Sequence, residues 1–489
     1  MLQSVTEKGK VLQKMGDRRD RSETMGKGQI WPLLLRFSGP SIVSALVSSS
    51  YNLVDAVFVG RLGSEALAAL AISFPLMIIY TAVGTGVAIG SASLISRNLG
   101  AGNREQVNRT AGNGISLFFV IGATATLIFY FNLEPLLRLF GATEKVLELA
   151  MAYMKVETGF IMLNFFLIVL VELVRAEGNP VLSSTASIIS GVINCIMDPI
   201  LMFGIGFFPT MGIAGAAVAT SVGRAISIII LVVYLASSRS SYHLRLQYFV
   251  PNLKIVKEIL RVGVSSMVRM SGGSIVQMLA DRVASSFGVI PLAVLGVLVR
   301  VNSFAFQPCF GMGQGMLPLV GYNYGARQNQ RVAEIVTKTT IAAFSWGVLC
   351  WIIVLLLPTP ILSIFGSDPD YLAQGTWAFR IFAFGFFTVG TQMVLASFFQ
   401  GIGKGMPALI VSSSRQVIFL IPSILLLPWL FGLTGLWLAF PIADALALVL
   451  SLAWIVAEFR RMGVGFSLRS KPQPKLAPEV DPIDTQNSK

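Results

Sequence analysis

Charged residues are scarce in this sequence, and their scarcity excludes an ordinary soluble protein. Asp, Glu, Lys and Arg make up 12% of the 489 residues, while 54% are hydrophobic. A typical soluble domain has about 25% charged residues, so most of this surface faces a solvent other than water. Apolar runs of roughly 20 residues, the length that crosses a bilayer as a helix, recur along the whole chain. The sequence therefore predicts an all-α, multi-pass membrane protein.

Cysteine and histidine are also rare, and this removes two kinds of site. Cys195, Cys309 and Cys350 lie in apolar runs without metal-ligand spacing, and His243 is the only histidine. Neither a disulfide framework nor a zinc site is supported. The sequence also has no Gly-rich phosphate-binding loop and no nucleophile, base or metal constellation. It therefore gives no sign of ATP-driven transport, of an enzyme or of a bound cofactor.

The net charge of +13 does not indicate a nucleic-acid partner. Lys and Arg lie in short links and tails rather than on one basic face interleaved with aromatic residues. Links after even-numbered apolar runs carry most of them, and positive charge is retained on the cytoplasmic side of a membrane. We therefore expect a cell-membrane protein with both termini in the cytoplasm.

Twelve apolar runs divide the chain into two halves of six membrane spans each. We predict a cytoplasmic leader (1–29), an N-lobe (30–238), a cytoplasmic linker (239–255), a C-lobe (256–457) and a cytoplasmic tail (458–489). Because each half has an even number of spans, both enter the membrane from the same side and form parallel repeats. Two such lobes predict a V-shaped transporter with a cavity between them.

An internal repeat with an offset of 225 residues supports this division. The matching residues are Arg36 and Arg261, Gly63 and Gly288, Gly86 and Gly311, Gly90 and Gly315, Asn98 and Asn323, Gly100 and Gly325, and Gly178 and Gly403. Later, Gly212-Ile213-Ala214-Gly215 matches Gly432-Leu433-Thr434-Gly435 at an offset of 220. Repeats of this kind indicate duplicated structural units and are sought before other fold inferences.

Few carboxylates fall within the predicted N-lobe spans, and these are candidates for a transport site. An ionised Asp at the centre of a bilayer costs about 2.5–3.5 kcal/mol on insertion scales, so each should face protein, water or a partner. Asn194 and Asp198 are four residues apart and share one helix face, as do Tyr51 and Asp55. Pro199 leaves the carbonyl one turn earlier without its helical donor. We predict Asp55, Asn194, Asp198 and Tyr51 as cation- or proton-coupling residues. Na⁺ is the one metal ion considered, bound by Asp55, Asn194 and Asp198.

The chemistry predicted for this site is exchange of positive charges. Burial disfavours the charged form of a carboxyl group, whereas a nearby cation favours it. A proton, Na⁺ and a cationic substrate therefore compete for one site, which is the physical basis of antiport. The structural alternative is that Asp198 caps a broken helix or pairs with a distant arginine.

Secondary candidates each have a structural explanation as well. Glu157 is predicted near the outer interface, and Glu172 and Arg175 have the spacing of a helix-surface ion pair. Asp281 in the C-lobe lies beside Arg282. The other charged residues discussed for the C-lobe spans are Arg269, Arg300, Arg380, Arg415 and Asp444. Pairing of the two aspartates with arginines would keep that lobe rigid; the alternative is an anion-attracting surface.

Pro40 is the predicted hinge of the first span. Proline is a common cause of sharp helix kinks, and Pro40 precedes Asp55 in the same span. A bend there would alter the cavity when Asp55 changes its charge. A static kink is the alternative.

At these residues the sequence resembles the multidrug and toxic compound extrusion (MATE) family, in particular its bacterial multidrug exporters, over roughly residues 30–457. The motifs that carry the resemblance are Gly39-Pro40, Tyr51-Asn52-Leu53-Val54-Asp55, Gly100-Ala101-Gly102-Asn103, Arg175-Ala176-Glu177-Gly178-Asn179-Pro180, Asn194 through Pro199, and Gly212 through Ala217. The resemblance implies twelve helices in two lobes and export of organic cations in exchange for H⁺ or Na⁺. It assigns the cation-site roles to Asp55, Asn194 and Asp198, places Tyr51 nearby and makes Pro40 the bending point. Family members that bind sodium in the second lobe have a glutamate in span seven, and this sequence has no carboxylate between Glu258 and Asp281.

The leading hypothesis is a secondary antiporter that exports cationic or amphipathic compounds by alternating access. The partners expected are a small-molecule substrate and membrane lipid, with the chain acting as a monomer. The second hypothesis is a flippase for a lipid-linked or anionic substrate, which the C-lobe arginines favour. An organic cation and a lipid pyrophosphate, compared in binding assays, discriminate between the two.

Overall fold

The structure, a computed structural model, describes residues 23–206 and 208–468. Within these ranges the chain is all-α, with long helices joined by short turns and no β-strand. The helices are α1 (Ile30–Arg61), α2 (Ser64–Gly100), α3 (Arg104–Phe131), α4 (Leu133–Leu139), α5 (Glu144–Gly159), α6 (Ile161–Ala176), α7 (Pro180–Phe203), α8 (Ile213–Ala236), α9 (Leu253–Ser286), α10 (Val289–Gly325), α11 (Asn329–Leu356), α12 (Pro358–Ser363), α13 (Pro369–Ala383), α14 (Phe386–Gly401), α15 (Gly405–Ser413) and α16 (Ile421–Arg461). A 3₁₀ helix (Leu246–Phe249) precedes α9, and a π-helix (Ser414–Leu420) joins α15 to α16.

These helices form twelve membrane spans. Eight helical stretches in the described ranges are long and apolar enough to cross a bilayer alone. Two further spans are bent pairs: α5 and α6 meet at 49°, and α13 and α14 at 44°. The stretch Gly405–Arg461 contains two spans, because Gly432 breaks the helical backbone (φ 58°, ψ −142°). The last span is α9, which has 34 residues but carries more charge. The predicted all-α fold of twelve spans in two six-span lobes is confirmed.

The internal repeat is also visible in the backbone conformation. Residues with positive φ recur at matching places in the two lobes, where helices begin or end. The pairs, with φ in parentheses, are Gly63 and Gly288 (125° and 126°), Gly102 and Arg327 (76° and 58°), Gly178 and Gly403 (100° and 76°), and Gly212 and Gly432 (55° and 58°). Arg327 is the one non-glycine residue with positive φ in the described ranges. This conformation is strained for a non-glycine residue. The turn shared by the two lobes therefore determines the φ of Arg327 against the preference of its side chain for negative φ.

The proposed domain boundaries stay a prediction, and the helix ends can be compared with them. Helix α9 begins at Leu253 and α16 ends at Arg461, so helical structure extends slightly beyond the proposed C-lobe (256–457). Most of the proposed leader (1–22) and much of the proposed tail (469–489) lie outside the described residues.

The two lobes pack together at the end of the molecule where α1 begins and α16 ends. Helix α2 packs on α9, and α1 on α10, through glycines that allow close backbone approach. A Cβ atom at Gly90 would come within 2.1 Å of the carbonyl oxygen of Ile259. Ser93 Oγ donates a hydrogen bond of 2.5 Å to the carbonyl of Gln400. In the described ranges, hydrogen bonds between spans of different lobes involve N-lobe residues near the start of α1 (Ser38), the end of α2 (Ser93) and the end of α6 (Arg175).

Candidate carboxylate site in the N-lobe

Asn194 and Asp198 form the centre of the site on α7. Helix α7 runs from Pro180 to Phe203 and continues through Pro199, so the two side chains remain one turn apart on the same face. Asn194 Nδ2 donates a hydrogen bond of 3.0 Å to Asp198 Oδ1 and another of 3.0 Å to Thr220 Oγ1 on α8. Both residues are buried. The alternative in which Asp198 caps a broken helix is wrong, because the helix does not break there.

Three oxygen atoms in this region are buried without a hydrogen-bond partner in the described part of the chain. They are Asp55 Oδ1, Asn194 Oδ1 and Asp198 Oδ2. Asp55 and Asp198 also lie close enough to interact electrostatically. Buried polar atoms are nearly always paired, and oxygen atoms are the ligands that hard cations prefer. Unpaired oxygens of this kind are groups that a proton or a small hard cation can satisfy, and ion binding here stays a prediction.

Conventional metal centres in proteins are built from clusters of His, Cys, Asp or Glu side chains. Among residues 23–206 and 208–468 no cluster of three or more His, Cys, Asp or Glu side chains has the geometry to hold a metal ion. A Na⁺ site at Asp55, Asn194 and Asp198 therefore depends on the amide as its third side-chain ligand.

Tyr51 lies beside this site and fixes the approach of α1 to α7. Its ring packs on Gly191, where an added Cβ would lie 2.8 Å from Tyr51 Cδ1. Tyr51 is one helical turn before Asp55, and it is close enough to interact electrostatically with Asp55, Glu157 and Arg224. The predicted neighbourhood of Tyr51, Asp55, Asn194 and Asp198 is therefore assembled from α1 and α7, while their role in coupling stays a prediction.

Glu157 belongs to the same region, paired with an arginine from α8. Arg224 Nη1 donates hydrogen bonds of 3.3 and 3.0 Å to the two carboxylate oxygens of Glu157. Tyr80 on α2 donates a third of 3.0 Å to Glu157 Oε2. Glu157 is 0% exposed, so its side chain faces protein, while its predicted position near the outer interface stays a prediction. Asp55 lies near both members of the pair.

We call Asp55, Glu157, Asn194, Asp198 and Arg224 the N-lobe carboxylate cluster. Arg224 neutralises Glu157, and in the described ranges neither aspartate forms an ion pair. The alternative in which Asp198 pairs with a distant arginine is therefore wrong. In the described ranges, Asp55 and Asp198 remain carboxyl groups without a fixed cation.

Sequence reasoning missed Arg224, Thr220 and Tyr80. The signal for Arg224 was present, because an arginine within the sixth predicted span carries the same cost in a bilayer as a carboxylate. Thr220 and Tyr80 have no such signal, since hydroxyl groups are common in spans.

Pro40 lies within α1, which continues through it from Ile30 to Arg61. The neighbouring Ile42 packs on Gly311 of α10, whose added Cβ would lie 2.7 Å from Ile42 Cα. The proline is therefore next to the contact between lobes, where a bend would change their packing. Its role as a hinge stays a prediction.

The C-lobe carboxylates divide into one paired and one unpaired residue. Asp444 forms a buried ion pair with Arg415, so the predicted pairing is confirmed there. Asp281 instead accepts a hydrogen bond of 2.8 Å from Gln277 Nε2, and no ion pair involves it in the described ranges. The pairing of Asp281 with an arginine is wrong, because Gln277, one turn earlier on α9, takes that place.

Comparison with known proteins adds the family context. The MatE family matches residues 40–200 and 266–425, once in each lobe. The chain is 24% identical over 426 residues to the multidrug export protein MepA of Staphylococcus saprophyticus, covering 86% of this chain and 92% of that protein. It is 25% identical over 423 residues to a FAD transporter of Shewanella oneidensis, covering 85% and 92%.

Solved structures agree with this match. A crystal structure of MATE in the bent conformation has 25% sequence identity and a TM-score of 0.84, covering 91% of this chain and 98% of that one. The outward-facing conformation of a multidrug resistance MATE family transporter has 24% identity and a TM-score of 0.83. At 24% identity, the similarity to the outward-facing transporter supports the fold and nothing more.

Proposed function

Because this chain belongs to the MatE family, we propose that it exports amphipathic organic compounds in exchange for H⁺ or Na⁺ bound at Asp55 and Asp198. The chain is a multi-pass transporter of small compounds in the cell membrane, and it is not an enzyme. The choice of coupling ion and the chemical class of substrate are our proposals. The observation that carries them is the set of buried, unpaired oxygens on Asp55, Asn194 and Asp198.

Exchange follows from the electrostatics of the N-lobe carboxylate cluster. Two aspartates without a fixed cation are costly inside a membrane, since burial disfavours their charged form. A proton or Na⁺ entering the cluster removes that cost. A cationic group of a substrate provides the same relief, so the arrival of one favours release of the other. Arg224 does not take the place of the exchanged cation at Asp55 and Asp198, because its guanidinium is paired with Glu157.

The packing of the lobes supports alternating access. The contacts between lobes lie near the termini, at Gly90 and Ile259 and at Gly315 and Ser38. Because the distribution of Lys and Arg favours a cytoplasmic location for both termini, we propose that this packing closes the cavity on the cytoplasmic side. We propose that this conformation faces outward, and that the inward-facing one requires the glycine contacts to separate.

A flippase for a lipid-linked anion is the second candidate, and one observation favours it. Of the C-lobe arginines proposed to attract anions, Arg415 is neutralised by Asp444, whereas Arg269 forms no ion pair in the described ranges. A flippase for lipid-linked anions would not move an organic cation in response to either ion gradient. The substrate-transport experiment below therefore separates the two functions.

Purified protein in proteoliposomes tests the proposal under separately imposed pH and sodium gradients. We expect uptake or release of a fluorescent organic cation, such as ethidium, to follow one of the two gradients and to stop when that gradient is dissipated. One transported charge is worth about 2.3 kcal/mol per 100 mV, which is enough for measurable accumulation. Transport that is equal with and without both gradients would contradict antiport.

A further inference from the structure

Arg269 is an arginine without an acidic partner in the middle of a membrane span. It lies near the centre of α9 (Leu253–Ser286), and in the described ranges it forms no ion pair with a carboxylate. Its guanidinium also forms no hydrogen bond there. An arginine at the centre of a bilayer costs about 2.5–3.5 kcal/mol on insertion scales. A buried arginine is stabilised by an anionic partner, and the described residues do not provide one.

One neighbour does interact with Arg269, but too weakly to account for it. Its Cζ atom lies 5.8 Å from the centre of the Phe310 ring, within the range of a cation–π contact. Such contacts stabilise by about 0.5–1 kcal/mol when exposed and about 2 kcal/mol when desolvated. The ring orients the guanidinium and leaves its hydrogen-bond donors unused.

Arg269 lines a small crevice between residues of the two lobes. The crevice is lined by Ile89, Arg269, Phe310, Gln314, Leu317, Met393, Ala396, Ser397 and Gln400. Ile89 comes from the N-lobe, next to Gly90, which packs on the backbone of Ile259. The crevice therefore lies directly beside the contact that closes the lobes at the terminal end.

Gln314 supplies a second donor beside Arg269. Its Oε1 accepts a hydrogen bond of 3.0 Å from Arg175 Nη1 of the N-lobe, which leaves its Nε2 without a hydrogen bond in the described ranges. The other polar neighbours are engaged elsewhere: Ser397 donates to the carbonyl of Met393, and Gln400 Nε2 donates to Ser265 and Ser266. The crevice thus presents unused donors and no carboxylate.

We propose that the Arg269 crevice binds the phosphate or carboxylate group of an amphipathic molecule. Guanidinium groups bind such anions through two parallel hydrogen bonds, and Gln314 adds a third donor. Phe310, Leu317 and Met393 provide an apolar wall for the rest of the molecule. The inference rests on the proposed function, because it identifies compounds with an acidic group as one class of substrate that the transporter exports. The same chemistry is offered by an acidic lipid headgroup and by a soluble organic anion.

Equilibrium binding of FAD to the full-length protein in phosphatidylcholine nanodiscs tests the soluble-anion form. FAD is fluorescent and combines phosphates with aromatic rings. Arg269→Gln is expected to weaken FAD binding by about tenfold or more, because a hydrogen-bonded charge is lost. Arg269→Lys, which keeps the charge but not the fork of donors, should fall between. Arg282→Gln is the matched control, since Arg282 is an exposed arginine on the same helix and should leave binding unchanged.

A second arm tests the lipid form with the same variants. If an acidic headgroup is the ligand, wild-type protein should retain phosphatidylglycerol in preference to phosphatidylcholine during purification, and Arg269→Gln should not. Phosphatidylglycerol in the nanodiscs should then also weaken FAD binding to wild type. Arg269→Lys serves both arms if the glutamine variant does not fold.

The outcomes separate this inference from the proposed function, because binding is measured without any ion gradient. Arg269-dependent binding of either probe supports the crevice as an anion site. The inference is overturned if wild type binds neither FAD nor phosphatidylglycerol, or if replacement of Arg269 leaves the binding of both probes unchanged. Gradient-driven transport stands in either case. Loss of gradient dependence with intact Arg269-dependent binding would instead contradict antiport.

Discussion

Replacing Asp198 with asparagine is expected to reduce ion-driven efflux to the background of cells that lack the transporter. The substitution preserves the size of the side chain and an oxygen atom that can accept from Asn194, which donates to Asp198 Oδ1 at 3.0 Å. It removes the negative charge that the coupling ion neutralises. A neutral side chain neither attracts Na⁺ nor exchanges a proton, so a gradient worth about 2.3 kcal/mol per charge at 100 mV no longer drives export. Efflux of ethidium from energised cells measures the effect.

Asp370→Asn is the control for this variant. Asp370 is an exposed aspartate in the first turn of α13, so its replacement removes the same charge outside the N-lobe carboxylate cluster. Efflux should remain at the wild-type level, and both variants should reach the membrane in equal amounts. Wild-type efflux in Asp198→Asn would remove Asp198 from the coupling mechanism.

Breaking the Glu157–Arg224 pair is expected to cause the largest loss of stability. Glu157 is 0% exposed and accepts hydrogen bonds from Arg224 and Tyr80. Glu157→Gln leaves the arginine charged and unpaired inside the N-lobe. Removing one partner of a buried ion pair typically costs about 3–5 kcal/mol. The fraction of protein that stays folded in detergent after heating, followed by size-exclusion chromatography, should therefore fall at a much lower temperature than for wild type.

Two further variants distinguish a buried charge from a general loss of packing. Arg138 forms exposed ion pairs with Glu134 and Glu144, and Glu134→Gln should change stability by less than about 1 kcal/mol, as for surface pairs. The double variant Glu157→Leu with Arg224→Met removes both charges, and it should recover most of the stability lost in Glu157→Gln. If Glu157→Gln were as stable as wild type, the ion pair would not support the N-lobe.

Much of the fold follows from local features of the sequence. Apolar length predicts the spans, and Gly63, Gly178 and Gly212 mark places where the backbone takes a positive φ that glycine accepts readily. These features recur in the C-lobe because the turn geometry recurs. Arg327 shows the limit of the rule, since it holds a positive φ of 58° without being glycine.

The site was predictable where its residues are neighbours on one helix. Asn194 and Asp198 are four residues apart, and their hydrogen bond on α7 follows from helical periodicity. Glu157 and Arg224 are 67 residues apart, and their pairing depends on how α5 packs against α8. No periodicity in a single sequence reports that packing. The wrong interpretation of Asp281 has a different origin, because its partner Gln277 lies one turn earlier on the same helix and helical periodicity could have predicted that contact.

The central claim is that Asp55 and Asp198 accept one positive occupant at the expense of another, and ion release on substrate binding tests it most directly. Ethidium added to purified protein in weakly buffered solution should release H⁺, or Na⁺ in the presence of that ion, as detected by ion-sensitive dyes. The variant with both Asp55→Asn and Asp198→Asn should release neither. Wild-type protein that binds ethidium without releasing either cation would contradict the account.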